Sequence, residues 1–232
     1  GSLLLGIGLA LSLSLYHFTG RKLLALLLML PLAMPPFVLS YINGSSSNSP
    51  APLTNQLDIS PDLPLYTLAK AIIIYSLTLY PYIYIPVLIA LKHHTPALLN
   101  AARISGISRH DHLLRLNLPN IRYATVTGLT LILLFTLSDF ATQKIINLPT
   151  VTTALFDQWQ GAQQIELLPL LATPLILIAL IIATASHKLS GTPPAAGNYR
   201  ESALNNTSNK AVTISVFSLA ITILVCAVIA PI

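Results

Sequence analysis

The segment LYTLAKAIIIYSLTLYPYIYIPVLIAL, residues 65–91, is a long apolar run with a single charged side chain, Lys70. A helix needs about 20 predominantly apolar residues to cross the hydrocarbon core of a bilayer, so this run is long enough. Pro81 and Pro86 lie inside it and are expected to kink the helix, because proline lacks an amide hydrogen and clashes with the preceding turn. The segment therefore predicts a kinked transmembrane helix.

Similar apolar runs recur along the 232-residue chain, which is 54% hydrophobic and only 8% charged, with a mean hydropathy of +0.74. Soluble domains carry about a quarter charged residues, so this chain cannot cover a water-facing surface. We predict an all-α, polytopic transmembrane helix bundle of about six spans, with prolines that also interrupt the second and fifth. The spans are placed at about 3–16, 23–42, 65–91, 123–140, 165–185 and 211–232.

The basic residues concentrate in alternate connections between these runs. The first, third and fifth connections hold nearly all the lysines and arginines, while the second and fourth carry acidic residues and only Lys70 and Lys144, near span ends. By the positive-inside rule the three basic connections are cytoplasmic. The net charge of +5 is thus attributed to topology, and no basic face with interleaved aromatics indicates nucleic-acid binding.

The chain begins inside an apolar run, without the basic start and small-residue cleavage site of a signal peptide, and its last run stops at Ile232. We expect a fragment of a longer polypeptide, with Gly1 and Ser2 as added residues; a naturally short terminus is the alternative. The expected division is a transmembrane core at 1–189, a cytoplasmic linker at 190–210, and the first span of a following half at 211–232.

The third connection, KHHTPALLNAARISGISRHDHLLRLNLPNIR at 92–122, predicts two short helices on the inner membrane face. Thr95 and Pro96 suit a helix start, and Gly106 suits its left-handed end. Ser108 and Asp111 have the spacing of a capping box for a second helix. The connection is therefore a helix–turn–helix rather than a simple loop.

This connection resembles the EAA loop of bacterial ABC-importer permeases, whose pattern is Glu-Ala-Ala, three residues, Gly, nine residues, Ile-x-Leu-Pro. The spacing matches throughout, and the matching residues are Asn100, Ala101, Ala102, Gly106, Leu116, Leu118 and Pro119. The resemblance implies a coupling helix that docks on a cytoplasmic ATPase, with Arg103 or Arg109 meeting acidic groups. Asn100 replaces the family's glutamate, which implies weaker docking or a less active half. The alternative is an amphipathic surface helix whose arginines bind anionic headgroups.

The segments at 23–42, 79–91 and 138–159 resemble ferric-iron permeases, which are similar to thiamine permeases. The resemblance implies a multi-pass permease subunit of the bacterial cytoplasmic (inner) membrane that moves ferric iron, with thiamine as the alternative solute. It also implies three protein partners besides membrane lipid. These are an ABC ATPase dimer that holds ATP and Mg, an extracytoplasmic solute-binding protein, and a second permease half in the same chain or a second copy.

Asp139 lies near the predicted outer end of the fourth span, where an acidic residue is a functional candidate because its burial is costly. Tyr80 and Tyr82 would add hydroxyl groups to a substrate path with it. The alternatives are a helix-end or packing role for Asp139, and packing or an interfacial belt for the tyrosines.

Several activities are excluded by missing motifs. The sequence has no GxxxxGK[ST] loop and no plausible catalytic set, so we expect no enzyme and no cofactor in this chain. No metal site is expected, because the two histidine pairs lack ligand spacing and Cys226 is the only cysteine. A secondary transporter with proline-broken helices and a noncatalytic membrane scaffold remain as alternative classes.

The alternating charges generate a topology prediction. In a Cys226→Ala background, an impermeant thiol reagent added to intact cells should label a cysteine placed at Ser46, but not one placed at Ser108 or Thr207. Labelling of the Ser108 position from outside would overturn the predicted orientation.

Overall fold

The computed structural model describes residues 1–15, 20–45, 64–92, 118–161, 168–190, 217–218 and 220–223, and this part of the chain contains no strand. A 3₁₀ helix spans Leu30–Ala33. The α-helices are α1 Ser2–Leu15, α2 Arg21–Leu27, α3 Pro36–Ser45, α4 Pro64–Leu79, α5 Pro81–Lys92, α6 Leu118–Ser138, α7 Phe140–Ile145, α8 Val151–Gly161 and α9 Leu168–Ser190. The predicted all-α class is confirmed.

Prolines break the second predicted span. Pro31 lies in the 3₁₀ helix, and Met34 is extended, as expected for a residue that precedes a proline. Pro36 opens α3, a position where its missing amide hydrogen costs nothing. The two parts of the span are bent by 75°, which confirms the predicted kink.

The third predicted span is also two helices, α4 and α5, bent by 42° at Tyr80. Pro81 is the first residue of α5, and Pro86 lies inside it. The prediction of an interrupted fifth span is wrong, because α9 is continuous. Pro169 is the second residue of α9, a position where the amide hydrogen has no partner within the helix. Pro174 removes a single hydrogen bond, the one to the Leu170 carbonyl in the first turn.

Among the described residues, two helices are long and apolar enough to cross a membrane, Ile121–Ser138 and Ala172–Ser190, and the count rises to four if each bent pair is one span. α1 is a shorter apolar helix. Of the predicted sixth span, only 217–218 and 220–223 fall among the described residues, and the linker after Ser190 lies outside them.

Two predicted connections differ from the structure. The third ends earlier than predicted, because α6 already begins at Leu118 and includes Arg122. The fourth is not a simple loop, since it contains α7 and α8. These short helices were missed because they lack the long apolar run by which the spans were recognised.

The core is centred on α5, which packs mainly against α1 on one side and α6 on the other. A glycine on α1 and a glycine on α6 allow these two helices to lie close to α5. A Cβ on Gly6 of α1 would lie 2.8 Å from the Ile83 Cβ, and one on Gly128 of α6 would lie 2.5 Å from the Tyr82 carbonyl oxygen. Because Pro86 has no amide hydrogen, that carbonyl lacks its helical donor. Gly128 therefore brings α6 against the weakened turn of α5.

The start of α5 meets the second half of α6, where the Tyr82 and Phe135 rings lie 6.1 Å apart. Since the two helices pack along their lengths, they run antiparallel. Lys92, at the end of α5, and Arg122, near the start of α6, therefore lie at the same end of the bundle. Asp139, which follows α6, lies at the opposite end.

The α2 helix also runs antiparallel to α5. The Tyr80 hydroxyl donates to the Leu28 carbonyl, and the Tyr84 hydroxyl, one turn later in α5, donates to the Ala25 carbonyl, one turn earlier in α2. The direction of this pairing carries Arg21 towards the C-terminal end of α5. The charges thus gather at the end that the positive-inside rule predicts to be cytoplasmic.

The glycine contacts generate a stability prediction with a control in the same helix. Gly6→Ala and Gly128→Ala should each destabilise the fold by about 1–3 kcal/mol, because the new methyl group overpacks a buried contact. Gly8→Ala should be neutral or slightly stabilising, because no atom lies within 4 Å of its added Cβ. Thermal unfolding of the purified variants in detergent measures the difference. Equal melting temperatures for Gly6→Ala and Gly8→Ala would contradict the close packing of α1 on α5.

Candidate functional site

Two buried tyrosines satisfy backbone groups that the break in the second span leaves open. The Tyr80 hydroxyl donates to the Leu28 carbonyl at 2.8 Å, where α2 has just ended and Pro31 offers no amide hydrogen. The Tyr84 hydroxyl donates to the Ala25 carbonyl at 3.3 Å. Both side chains are completely buried. In this conformation they join helix to helix rather than line an open passage.

Tyr82 points to a different neighbour. It is half-buried, its ring packs against Phe135, and its hydroxyl forms no hydrogen bond with the residues that the structure describes. Of the two tyrosines predicted for a substrate path, Tyr82 is thus the one with an unengaged hydroxyl. The path itself stays a prediction.

Asp139 connects three helices at the end of the bundle opposite Lys92. It is the N-cap of α7, where its Oδ1 accepts from the Thr142 amide at 3.1 Å. Its Oδ2 accepts from the Tyr75 hydroxyl of α4, also at 3.1 Å. The helix-end role is therefore present in the structure, and the proposed role in a substrate path stays a prediction.

Three of the last four carbonyls of α6 accept hydrogen bonds from side chains. Ser138 Oγ donates to the Phe135 carbonyl, Gln143 Nε2 to the Thr136 carbonyl at 2.7 Å, and Thr152 Oγ1 to the Leu137 carbonyl at 2.8 Å. Helix ends buried away from water need such partners. Gln143 is itself buried, and its Oε1 accepts from the Thr150 hydroxyl.

The backbone groups at the end of α7 and at the start of α8 also have hydrogen-bond partners. Asn147 has a φ of 57° and ends α7 in a Schellman motif, in which the Leu148 amide donates to the Gln143 carbonyl. Thr150 and Thr153 then form a reciprocal cap, each amide donating to the other's hydroxyl oxygen. The α6–α7–α8 junction is thus one hydrogen-bonded unit. An ion pair between Lys144 and Asp157, both about half exposed, adds about 0–1 kcal/mol.

An open cavity of about 560 Å³ lies between α8 and the start of α9. Its lining is almost wholly apolar, with Phe140 and Phe156 stacked at 4.4 Å and Trp159 beside them. The one hydroxyl in the lining, that of Thr152, is already bonded to Leu137. Apart from the indole N–H of Trp159, the cavity therefore offers no free polar group for a charged solute.

Most of the predicted ATPase-coupling loop lies outside the described residues, including Asn100, Ala101, Ala102, Arg103, Gly106, Arg109 and Leu116. Leu118 and Pro119 are described and form the first two positions of α6. No cluster of three or more potential metal ligands of the His, Cys, Asp or Glu type occurs among the described residues.

A protein-family profile described as "Binding-protein-dependent transport system inner membrane component" matches residues 2–191. The chain belongs to this family. The protein is thus a membrane permease component of a binding-protein-dependent ABC transporter, as the sequence resemblance predicted. No curated protein and no solved structure gives a significant match.

Sequence reasoning missed several side chains of the permease that organise this site. Gln143, Thr150, Thr152 and Thr153 were not singled out, although Ser and Thr residues near a helix start are recognisable caps. The sequence offered no comparable signal for the bond between Tyr75 and Asp139, since the two residues are 64 positions apart.

The buried tyrosine bonds generate a second stability prediction. Tyr80→Phe should lower the stability of the permease by about 1–2 kcal/mol, because the ring still fills its space while the Leu28 carbonyl loses its donor. Tyr82→Phe, two positions along the chain, should change stability little. Thermal unfolding of both variants in the same detergent provides the measurement. If both melt like the unmodified chain, the Tyr80 bond does not stabilise the helix break.

Proposed function

We propose that this permease works as part of an ATP-driven importer that receives ferric iron from an extracytoplasmic solute-binding protein and releases it into the cytoplasm. The family match over residues 2–191 carries this proposal, because members of the family are described as components of binding-protein-dependent transport systems. Energy then comes from a separate ABC ATPase dimer that binds ATP and Mg, since the chain has no phosphate-binding loop of its own.

The described helices support a coupling role for the connection between α5 and α6. Its two attachment points, Lys92 and Leu118, belong to antiparallel helices and lie at the same end of the bundle. That end also carries Arg21 and Arg122. A helical connection held there is suitably positioned to dock on a cytoplasmic ATPase through Ala101, Ala102 and Gly106, whose small size permits close approach.

The choice of ferric iron rests on the sequence resemblance of the segments at 23–42, 79–91 and 138–159. Thiamine is the second candidate for the same reason. The substrate path is proposed to run beside Tyr82 and Asp139 and to be completed by a second permease half. The span Ala172–Ser190 shows none of its residues buried, so it is free to face lipid or that second half.

A larger side chain in the coupling loop tests whether this loop docks on the ATPase. Ala102→Glu should reduce copurification of the ATPase with the complete permease at least tenfold, because it places an unpaired charge and extra volume at a close contact. Thr207→Glu is the control, since it adds the same charge in the linker that is also predicted to be cytoplasmic. Both variants are compared for membrane insertion, thermal stability, ATPase binding and hydrolysis.

Uptake into vesicles containing the complete transporter distinguishes the alternatives. ATP-dependent uptake of labelled ferric iron, requiring the binding protein and lost in Ala102→Glu, would support the proposal; the same result with labelled thiamine would change only the solute. Uptake driven by an ion gradient without ATP would show a secondary transporter instead. Normal ATPase binding by both Ala102→Glu and Gly106→Val would refute the coupling loop.

A further inference from the structure

The two halves of the bent third span are embedded to different degrees. α5 is held between α1 and α6, and its side chains Ile83, Tyr84 and Val87 are completely buried. α4 makes fewer contacts, chiefly with α1, α3 and the 3₁₀ helix. Its last turn is largely buried, whereas its earlier turns expose Leu65, Leu68 and Ile72. The span thus joins a fixed half to a less constrained half.

The junction between these halves has the composition of a hinge. Pro81 removes one helical hydrogen bond at the break. In the turn just before it, Ser76 donates to the Ile72 carbonyl and Thr78 to the Ile74 carbonyl. Bonds of this kind, from a hydroxyl to the carbonyl four residues earlier, bend helices. A change of angle here need not disturb the buried side chains of α5.

Across from the hinge, α4 is tied to the α6–α7–α8 junction by one side-chain hydrogen bond, from the Tyr75 hydroxyl to Asp139. Asp139 uses its other oxygen to cap α7, so it retains a partner when Tyr75 leaves. Thr142 is completely buried, and its hydroxyl lies close enough to Tyr75 to interact with it, yet it forms no hydrogen bond of good geometry within the described ranges. A buried hydroxyl without a partner requires an explanation. One explanation is that the Thr142 hydroxyl serves as an alternative donor to Asp139.

We propose that α4 is a gate of the transport path, which pivots at the break between Leu79 and Pro81 and is held closed by the hydrogen bond from Tyr75 to Asp139. The gate lies at the end of the bundle opposite Lys92, which is the side predicted to face the solute-binding protein. When α4 swings away, Thr142 takes over as donor to Asp139 and the α6–α7–α8 junction stays intact. This assignment rests on the proposed transport function, and it makes Tyr75 and Asp139 positioning residues.

The hinge movement can be measured directly in the complete permease. Spin labels are placed on cysteines at Ile72 of α4 and Val151 of α8, both exposed positions, in a Cys226→Ala background. Tyr75→Phe should raise the ratio of the long-distance to the short-distance population roughly tenfold, as expected for the loss of one hydrogen bond to a carboxylate. Tyr66→Phe is the matched control in the same helix, because Tyr66 is half-buried and makes no hydrogen bond with other described residues.

Further variants keep the proposal testable if one of them folds poorly. Asp139→Asn retains a good N-cap while weakening the bond to Tyr75, so its effect and that of Tyr75→Phe should be non-additive. Pro81→Ala restores a helical donor at the hinge and should shift the distances in the opposite direction. In the assembled transporter, Tyr75→Phe should also raise ATP hydrolysis without the binding protein several-fold.

The two proposals fail in different ways. Identical distance distributions in Tyr75→Phe, Tyr66→Phe and the unmodified permease would overturn the gate, even if ATP-driven uptake is normal. Additive effects of the Tyr75 and Asp139 changes would do the same. Absence of ATP-driven uptake by the unmodified assembly would instead refute the transport function, whereas the distances would still report whether α4 pivots.

Discussion

Every proline inside a membrane helix leaves a carbonyl group without its helical donor, and the hydrocarbon around it offers no replacement. Such breaks occur in two spans of the part of the permease that the structure describes, and the packing of these helices follows from how the open groups are satisfied. The Leu28 carbonyl, left open ahead of Pro31, receives the Tyr80 hydroxyl from another span. One proline break thus fixes which face of α5 lies against α2.

The same constraint explains why a glycine of α6 lies so close to the backbone of α5. Pro86 leaves the Tyr82 carbonyl without a helical partner, and Gly128 brings the backbone of α6 directly against it. Weak contacts from Cα–H groups to carbonyl oxygens are common where helices meet this closely. On the other side, Gly6 allows α1 to contact Ile83. The residues that weaken α5 as an isolated helix are therefore compensated by small residues on its two neighbours, which is the usual means of packing helices in lipid.

The sequence predicts the parts of this arrangement that depend on neighbouring residues. Apolar runs locate the spans, the prolines at 31, 35, 36 and 81 locate the bends, and the position of Asp139 after a run indicates a helix end. The cross-helix pairs cannot be found in this way, because Tyr80 and Leu28 are 52 positions apart. A polar side chain within an apolar run shows only that a partner is needed. Which carbonyl it meets is decided by the packing, and the packing is decided in turn by where glycine permits contact.

The hydrogen bond from Tyr80 to Leu28 and the one from Tyr75 to Asp139 differ in whether the acceptor keeps another partner when the bond breaks. If Tyr80 withdrew, the Leu28 carbonyl would remain buried without a donor, so this bond resists any movement of α5. If Tyr75 withdrew, Asp139 would still cap α7, and the hydroxyl of Thr142 stands beside the pair. The cost of breaking the second bond is therefore smaller, although both are single hydrogen bonds of a buried tyrosine. That difference divides the third span into a half that holds the bundle together and a half that is able to move.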